Sequence, residues 1–181
     1  MHKLFRKHLP RREAIRNNRW LRPFQNTLLR SELWHLNRRS AAGGFAIGLF
    51  CGLIPGPVQM LSAAVLSVIL RVNLPLAMVT TLYSNPLTIV PLYFAAYAIG
   101  ALILGVDINN FGHPPQFDGA NMGDWIHEFS LWAYSLGKPL ALGLVLLGIV
   151  LSTAGYFALR GLWRLQMIRA HKKREQQRRQ P

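Results

Sequence analysis

Between Ser40 and Val106 the chain carries one charged residue, Arg71, and this apolar stretch is interrupted twice, at Pro55-Gly56-Pro57 and at Ser84-Asn85-Pro86. A stretch this long and this poor in charge is typical of segments buried in a membrane. In hydrocarbon every backbone N–H and C=O group needs a partner within the protein, so a proline break persists only where neighbouring groups satisfy the freed atoms. The sequence therefore predicts an all-α integral membrane protein with broken or re-entrant helices.

The distribution of charge predicts how the chain is oriented. The net charge of +14 would suggest nucleic-acid binding in a soluble protein. Of the 21 Lys and Arg residues, however, 11 lie in residues 1–40 and eight in residues 160–181. Basic segments beside apolar spans stay in the cytoplasm, so we expect both termini there. We expect these tails to bind anionic lipid headgroups and not nucleic acid.

The chain is expected to form one domain with three parts. Residues 1–40 form a basic cytoplasmic and interfacial segment, residues 41–159 a membrane domain, and residues 160–181 a basic tail. A helix is predicted after Pro23, because its apolar residues share one face: Phe24, Leu28, Leu29, Leu33 and Leu36. With Trp20 and Trp34 it is typical of a helix lying in the cytoplasmic interface. A helix packed on the rest of the protein fits the same pattern.

The apolar segments differ in whether they can cross a membrane. Ala41–Ile54 and Val58–Leu70 each give about 20 Å of helix against a hydrocarbon core of about 30 Å. They form either one long kinked span or a re-entrant hairpin with Pro55-Gly56-Pro57 at its tip. Leu74–Tyr83 is shorter still. Leu87–Val106 and Pro139–Leu159, with about 20 residues each, are long enough to cross.

The segment at about 107–128 is predicted to lie outside. It contains four acidic residues, Asp107, Asp118, Asp124 and Glu128, and no Lys or Arg. Apolar side chains then recur at helical spacing, which suggests an amphipathic helix resting at the outer interface: Trp125, Phe129, Trp132 and Leu136.

Cytoplasmic ends and an outer loop leave two ways to thread the chain. In the favoured one, Ala41–Leu70 is a cytoplasmic re-entrant hairpin that returns Arg71 to the inner interface. Leu74–Val106 then crosses once as a broken span, and Pro139–Leu159 crosses back. The alternative has three crossings between Ala41 and Val106 and places Arg71 outside. The first is preferred because an unpaired arginine costs less on the cytoplasmic side.

Glycine recurs every fourth residue at Gly44, Gly48, Gly52 and Gly56. At least the first three line one helix face, where another helix can approach closely. The simplest partner is within the chain, with Val58–Leu70 expected to cover this face. The alternatives are a homo-oligomer interface, another membrane protein, or a lipid-binding groove.

The stretch Gly44 to Pro57, followed by Asn73-Leu74-Pro75 and by Ser84-Asn85-Pro86-Leu87-Thr88, resembles a bacterial membrane-protein family catalogued as domain of unknown function 2062. The resemblance covers about residues 30–160. It implies a protein of the bacterial inner membrane and carries over no catalytic residues. The apolar segments themselves predict a multi-pass protein.

The sequence itself indicates no enzyme and no cofactor. Asp124, His127 and Glu128 share a helix face and could present metal ligands, but such a triplet is more often a solvated face. Nucleophile, P-loop and dinucleotide motifs do not occur.

Two classes of function remain. In the first, the breaks meet near the midplane and form a site that binds or passes a small solute or a lipid headgroup. Its candidate residues are Pro55, Gly56, Pro57, Gln59, Ser84, Asn85, Pro86 and Thr88, with Gln59 close to Asn85 and with Arg71 and Asn73 at the cytoplasmic mouth. In the second, the chain is an assembly or scaffold module that acts through the glycine face.

Overall fold

The computed structural model describes residues 31–34, 37–56, 58–117 and 121–179, and all regular secondary structure in these residues is helical. The helices are α1 (Ser31–Trp34), α2 (Arg38–Cys51), α3 (Val58–Leu70), α4 (Leu74–Thr81), α5 (Ile89–Leu104), a 3-10 turn (Ile108–Phe111), α6 (Met122–Ser135) and α7 (Gly137–Arg179). The all-helical prediction is confirmed for this part of the chain.

The predicted interfacial helix lies almost entirely outside the described residues. Of its apolar positions the structure describes Leu33 in α1, which is buried at 2% exposure. Helix α1 packs against α4. At this position the helix face meets protein and not a lipid interface.

Helices α2 and α4 run parallel and side by side. Asn37 caps α2 by accepting a hydrogen bond from the Ser40 N–H at 2.7 Å, and Asn73 caps α4 by accepting from the Leu76 N–H at 2.9 Å. The Asn73 N–H donates to the Ser40 carbonyl at 3.2 Å, which joins the two N-terminal ends. Helix α3 follows α2 in the sequence and runs in the opposite direction. Helices α2 and α3 therefore form the predicted hairpin.

Helix α7 runs antiparallel to both α2 and α5. Its Gly148 faces Phe50 and Leu53, whereas Gly155 faces Phe45, earlier in α2. In the same way Gly143 lies against Ala96 and Pro139 lies against Gly100. Helices α2 and α5 both run antiparallel to α7, and α4 runs parallel to α2. Helices α2, α4 and α5 therefore share one direction.

Two helices differ in length from the apolar segments predicted for them. Helix α5 has 16 residues and not the predicted 20, because Gly105 adopts a left-handed conformation and ends it. Helix α7 has 43 residues and continues to Arg179, so the basic tail is part of this helix and does not follow it. Among the described residues, one helix is long and apolar enough to cross a membrane, the Gly137–Met167 part of α7.

The aromatic face of α6 is buried in the protein, which corrects the expectation that these side chains settle in the outer interface. Trp125 and Phe129 are 7% and 0% exposed. Phe129 packs against Tyr93 of α5 at 5.0 Å between ring centroids, and Trp132 packs against Phe111 at 5.0 Å. The segment after α5 therefore folds back along that helix, because its aromatic side chains pack better on α5 than in an interface.

Described charges are segregated along the bundle. Five arginines lie at the end where α2 and α4 begin and α7 leaves the bundle: Arg38, Arg39, Arg71, Arg160 and Arg164. The acids whose side chains the structure describes, Asp107, Asp124 and Glu128, lie between the end of α5 and the start of α7, near Lys138. The two groups are thus separated by the apolar helices.

Candidate functional site

The two proline breaks lie against each other. The Tyr93 hydroxyl donates a hydrogen bond to the Leu53 carbonyl at 2.8 Å. In a continuing helix that carbonyl would accept from residue 57, which is proline and has no N–H. Tyr93, just after the second break, therefore supplies the donor that the first break lacks.

A second tyrosine does the same one turn earlier. The Leu53 N–H bonds to the Phe50 carbonyl at 3.4 Å and not to Leu49, because α2 has already unwound. The Leu49 carbonyl instead accepts from the Tyr83 hydroxyl at 2.8 Å. Both freed carbonyls at the end of α2 are thus paired within the protein, as an apolar environment requires.

A side-chain hydrogen bond bridges the breaks directly. The Ser84 hydroxyl donates to Gln59 Oε1 at 3.0 Å and lies 3.1 Å from the Thr81 carbonyl. Gln59 is in the first turn of α3 and partly exposed, whereas Ser84 is buried. The contact that we expected from Asn85 is therefore made by its neighbour Ser84.

Asn85 instead holds the turn into α5. Its Oδ1 accepts from the N–H groups of Leu87 and Thr88, both at 3.0 Å, while Thr88 Oγ1 accepts from the Asn85 N–H at 2.9 Å. This reciprocal pattern is like that of a capping box, but it closes the turn at residues 85–88 that precedes α5. Asn85 and Thr88 are exposed, and these interactions are structural.

The tip of the first break is covered by α6. Gly56 has φ of 75°, a conformation that glycine adopts without strain, and a Cβ atom there would lie 3.4 Å from Ile126. Pro55 is partly exposed. Pro57 lies outside the described residues.

The glycine face is closely packed, but on α4 and not on α3 as predicted. Gly44 lies against the Asn73 carbonyl and Gly52 against the Tyr83 ring. A Cβ atom on Gly48 would fall 2.5 Å from the Ala77 carbonyl oxygen. The short α4 can lie this close to α2 because the glycines have no side chains and leave the backbone of α2 accessible.

Arg71 and Asn73 precede α4 and Ser84 follows it, so they lie at opposite ends of this eight-residue helix, which is about 12 Å long. Asn73 is 2% exposed and serves as the cap of α4. Arg71 is exposed, with φ of 53°. The structure thus separates these two residues from the breaks.

The breaks are level with the middle of the apolar part of α7. Gly148 faces Phe50 and Leu53 at the end of α2. At about 1.5 Å per residue, Gly148 is about 14 Å from Pro139 and about 17 Å from Leu159, the limits of the uncharged stretch. The breaks therefore lie near the middle of the uncharged stretch of α7.

Sequence reasoning missed the residues that hold this arrangement together. Besides Tyr83 and Tyr93 these are Gly100 and Gly143, where the backbones of α5 and α7 touch. The spacing of small residues in Ala96-x-x-x-Gly100 is a signal for such a crossing. The tyrosines carry no signal, because their partners are backbone atoms 34 and 40 residues away.

The possible metal ligands do not converge. Among the described residues, no group of three His, Cys, Asp or Glu side chains could hold a metal ion. Asp124, His127 and Glu128 are exposed on the outer face of α6, and Asp124 Oδ2 accepts from Asn121 Nδ2 at 2.6 Å.

These features define a class: within the described residues, an all-helical protein with one candidate membrane-spanning helix and two paired helix breaks beside it. The chain belongs to the family of uncharacterized proteins conserved in bacteria known as domain of unknown function 2062, whose model matches residues 21–172. No curated protein and no solved structure matches the chain.

Proposed function

We propose that the chain is a multi-pass protein of the bacterial inner membrane, with both ends in the cytoplasm, and that its paired breaks bind a small polar solute or a lipid headgroup. The observation that carries this proposal is the Gln59–Ser84 hydrogen bond. It joins the two breaks near the middle of the uncharged stretch of α7. The proposed activity is binding without catalysis.

Exposed apolar surface supports the membrane placement. Only 22% of the most apolar window of α7 is buried inside the fold, whereas the core helix of a soluble protein is mostly buried. Helix α3 exposes a continuous apolar face made by Val58, Leu61, Val65, Ile69 and Leu70. Contiguous apolar surface of this extent is rare on soluble monomers, and lipid would cover it without cost.

The directions of the helices fit the favoured threading. The hairpin α2–α3 enters and returns from one side, and α4 with α5 continues outward as one broken crossing. Helix α7 then comes back. This path puts the five arginines on the cytoplasmic side, as basic residues beside membrane spans prefer.

Helix α6 supports access to the breaks from the outer side. Its buried face reaches them through Ile126, which lies over Gly56. Its opposite face exposes Asp124, His127 and Glu128. A charged side chain in lipid costs about 3 kcal/mol, so this face favours an aqueous surrounding that extends toward the breaks.

The glycine face does not support the alternative of an assembly module. That role needs an exposed face, whereas Gly44 and Gly48 are buried against α4. The glycines explain the close packing of α2 without any partner.

Cysteine accessibility tests the proposal. In a background with Cys51→Ala, single cysteines replace Gln59 at the break, Leu61 on the exposed face of α3 and Ala63 in its buried face. The reagent is a small membrane-impermeant methanethiosulfonate, which reacts only with thiols that water reaches. We expect Gln59→Cys to react from the outer side and both other variants to stay unmodified.

The Leu61→Cys variant is the matched control, because Leu61 is 66% exposed and Ala63 is 0% exposed in the fold. In a protein surrounded by water, Leu61→Cys would react faster than Gln59→Cys, and this order would refute the membrane placement. Unreactive cysteines at both Gln59 and Leu61 would refute a water-accessible site at the breaks.

A further inference from the structure

We propose that the N-terminal ends of α2 and α4 form a second site, which binds the phosphate group of a lipid headgroup or of free phosphate. The site is built from Ser40, Arg39 and Arg71. It lies at the opposite end of α4 from the paired breaks.

Two helix N-termini meet here. The helices α2 and α4 are parallel, and the hydrogen bond from the Asn73 N–H to the Ser40 carbonyl joins their first turns. The caps are Asn37 and Asn73, which are neutral, and neither first turn contains an acidic residue. The positive ends of two helix dipoles therefore lie side by side, and such ends favour anions.

A buried hydroxyl points into the same place. Ser40 is 6% exposed, and its Oγ is a buried polar atom with no hydrogen-bond partner among the described residues. Ser40 lies one turn before Gly44 on α2, so the two residues share a helix face, and Gly44 contacts the Asn73 carbonyl. The hydroxyl is thus directed toward the start of α4. An unpaired hydroxyl in this position is a ready donor for an anion.

Two arginines lie next to these helix starts in the sequence. Arg39 precedes Ser40, and Arg71 is two residues before Asn73. Both are exposed. Guanidinium groups match the oxygens of a phosphate through paired hydrogen bonds.

Arg71 adopts a backbone conformation that is unfavourable for an arginine. Helix α3 ends in a Schellman motif, in which the Val72 N–H bonds to the Ser67 carbonyl at 3.0 Å and the Arg71 N–H to the Val68 carbonyl at 3.4 Å. Arg71 occupies the left-handed position, with φ of 53°, where glycine is usual. An arginine thus occupies a position that strains its backbone.

The full chain, purified in detergent, is titrated with dihexanoyl phosphatidic acid, dihexanoyl phosphatidylcholine and inorganic phosphate, and the melting temperature is followed by tryptophan fluorescence. We expect a saturable rise with phosphatidic acid and none with phosphatidylcholine. Ser40→Ala and Arg71→Gly should each weaken binding by about tenfold, since each removes a donor to the phosphate.

Both variants should fold, because alanine removes only an unpaired hydroxyl and glycine relieves the strained backbone. Their melting temperatures without ligand should equal or exceed that of the parent. Arg164→Gln is the matched control, since it removes a charge from the same end of the bundle but from α7. It should change binding by less than about twofold, because exposed distant charges are screened.

Saturable binding of inorganic phosphate, lost in the same two variants, would identify free phosphate as the ligand and retain the site. Binding of phosphatidic acid alone would identify a lipid. Absence of saturable binding by both, or equal loss in Arg164→Gln, would overturn the proposal. The lipid form rests on the proposed membrane placement, whereas phosphate binding does not, so the cysteine experiment can fail independently.

Discussion

The hydroxyl of Tyr93 donates a hydrogen bond to the carbonyl of Leu53, 40 residues earlier in the chain, at 2.8 Å. This bond ties the start of α5 to the end of α2. The ring of Tyr93 is 1% exposed and also packs against Phe129 of α6. One side chain therefore connects both breaks with the segment that covers them.

Replacing Tyr93 with Phe should destabilise the protein by about 1–3 kcal/mol, because the buried Leu53 carbonyl would lose its donor while the ring packing is kept. Tyr97→Phe is the control. Tyr97 is also buried and lies one turn later on α5, and its hydroxyl makes no hydrogen bond to any described residue. The measurement is the free energy of unfolding in detergent micelles. Equal losses in the two variants would contradict this role of the hydroxyl.

Gly48→Ala should destabilise the protein by about 1–3 kcal/mol, because the added methyl group overlaps the backbone and side chains of α4. Gly161→Ala provides the matched change, since a Cβ atom there meets nothing within 4 Å. That variant should be neutral or more stable by up to about 1 kcal/mol, from helix propensity. Thermal melting of both proteins decides the matter, and an unchanged Gly48→Ala protein would show that α2 and α4 are not in close contact.

Asn85→Ala should lower stability by about 1 kcal/mol, because the N–H groups of Leu87 and Thr88 lose their acceptor. Asn85→Asp keeps an acceptor oxygen and should retain the stability of the parent, since an anion at a helix N-terminus is also favoured. Circular dichroism during thermal unfolding compares the two. Similar losses in both variants would argue for a role of the Asn85 amide beyond the cap.

The proposed topology predicts which cysteines an impermeant maleimide labels in intact cells. In the Cys51→Ala background, a cysteine at Gly119 should be labelled, whereas cysteines at Ser31 and Gln177 should be labelled only after the membrane is permeabilised. The physical reason is the basic character of both ends. Labelling at Gln177 but not at Gly119 in intact cells would reverse the orientation.

The helix breaks were predictable from the sequence, whereas the atoms that repair them were not. Proline has no backbone N–H, so positions 55, 57 and 86 cannot donate to a helical carbonyl in any fold. The unpaired carbonyls therefore follow from the residue order alone. Which hydroxyl pairs each carbonyl depends on which distant helix lies alongside. For this reason Ser84, and not Asn85, bonds to Gln59.

Residue order along one helix determined which residues share a face, and with it the stripe Gly44, Gly48 and Gly52, the apolar face of α6 and the cap formed by Asn73. These features are local, because they depend only on helical periodicity and on hydrogen bonds within one turn. The partner of each face was decided by the tertiary structure. The glycines pack on α4 and not on α3, and Phe129 packs on Tyr93 of α5, because close packing selects among all helices that the connections allow to come together.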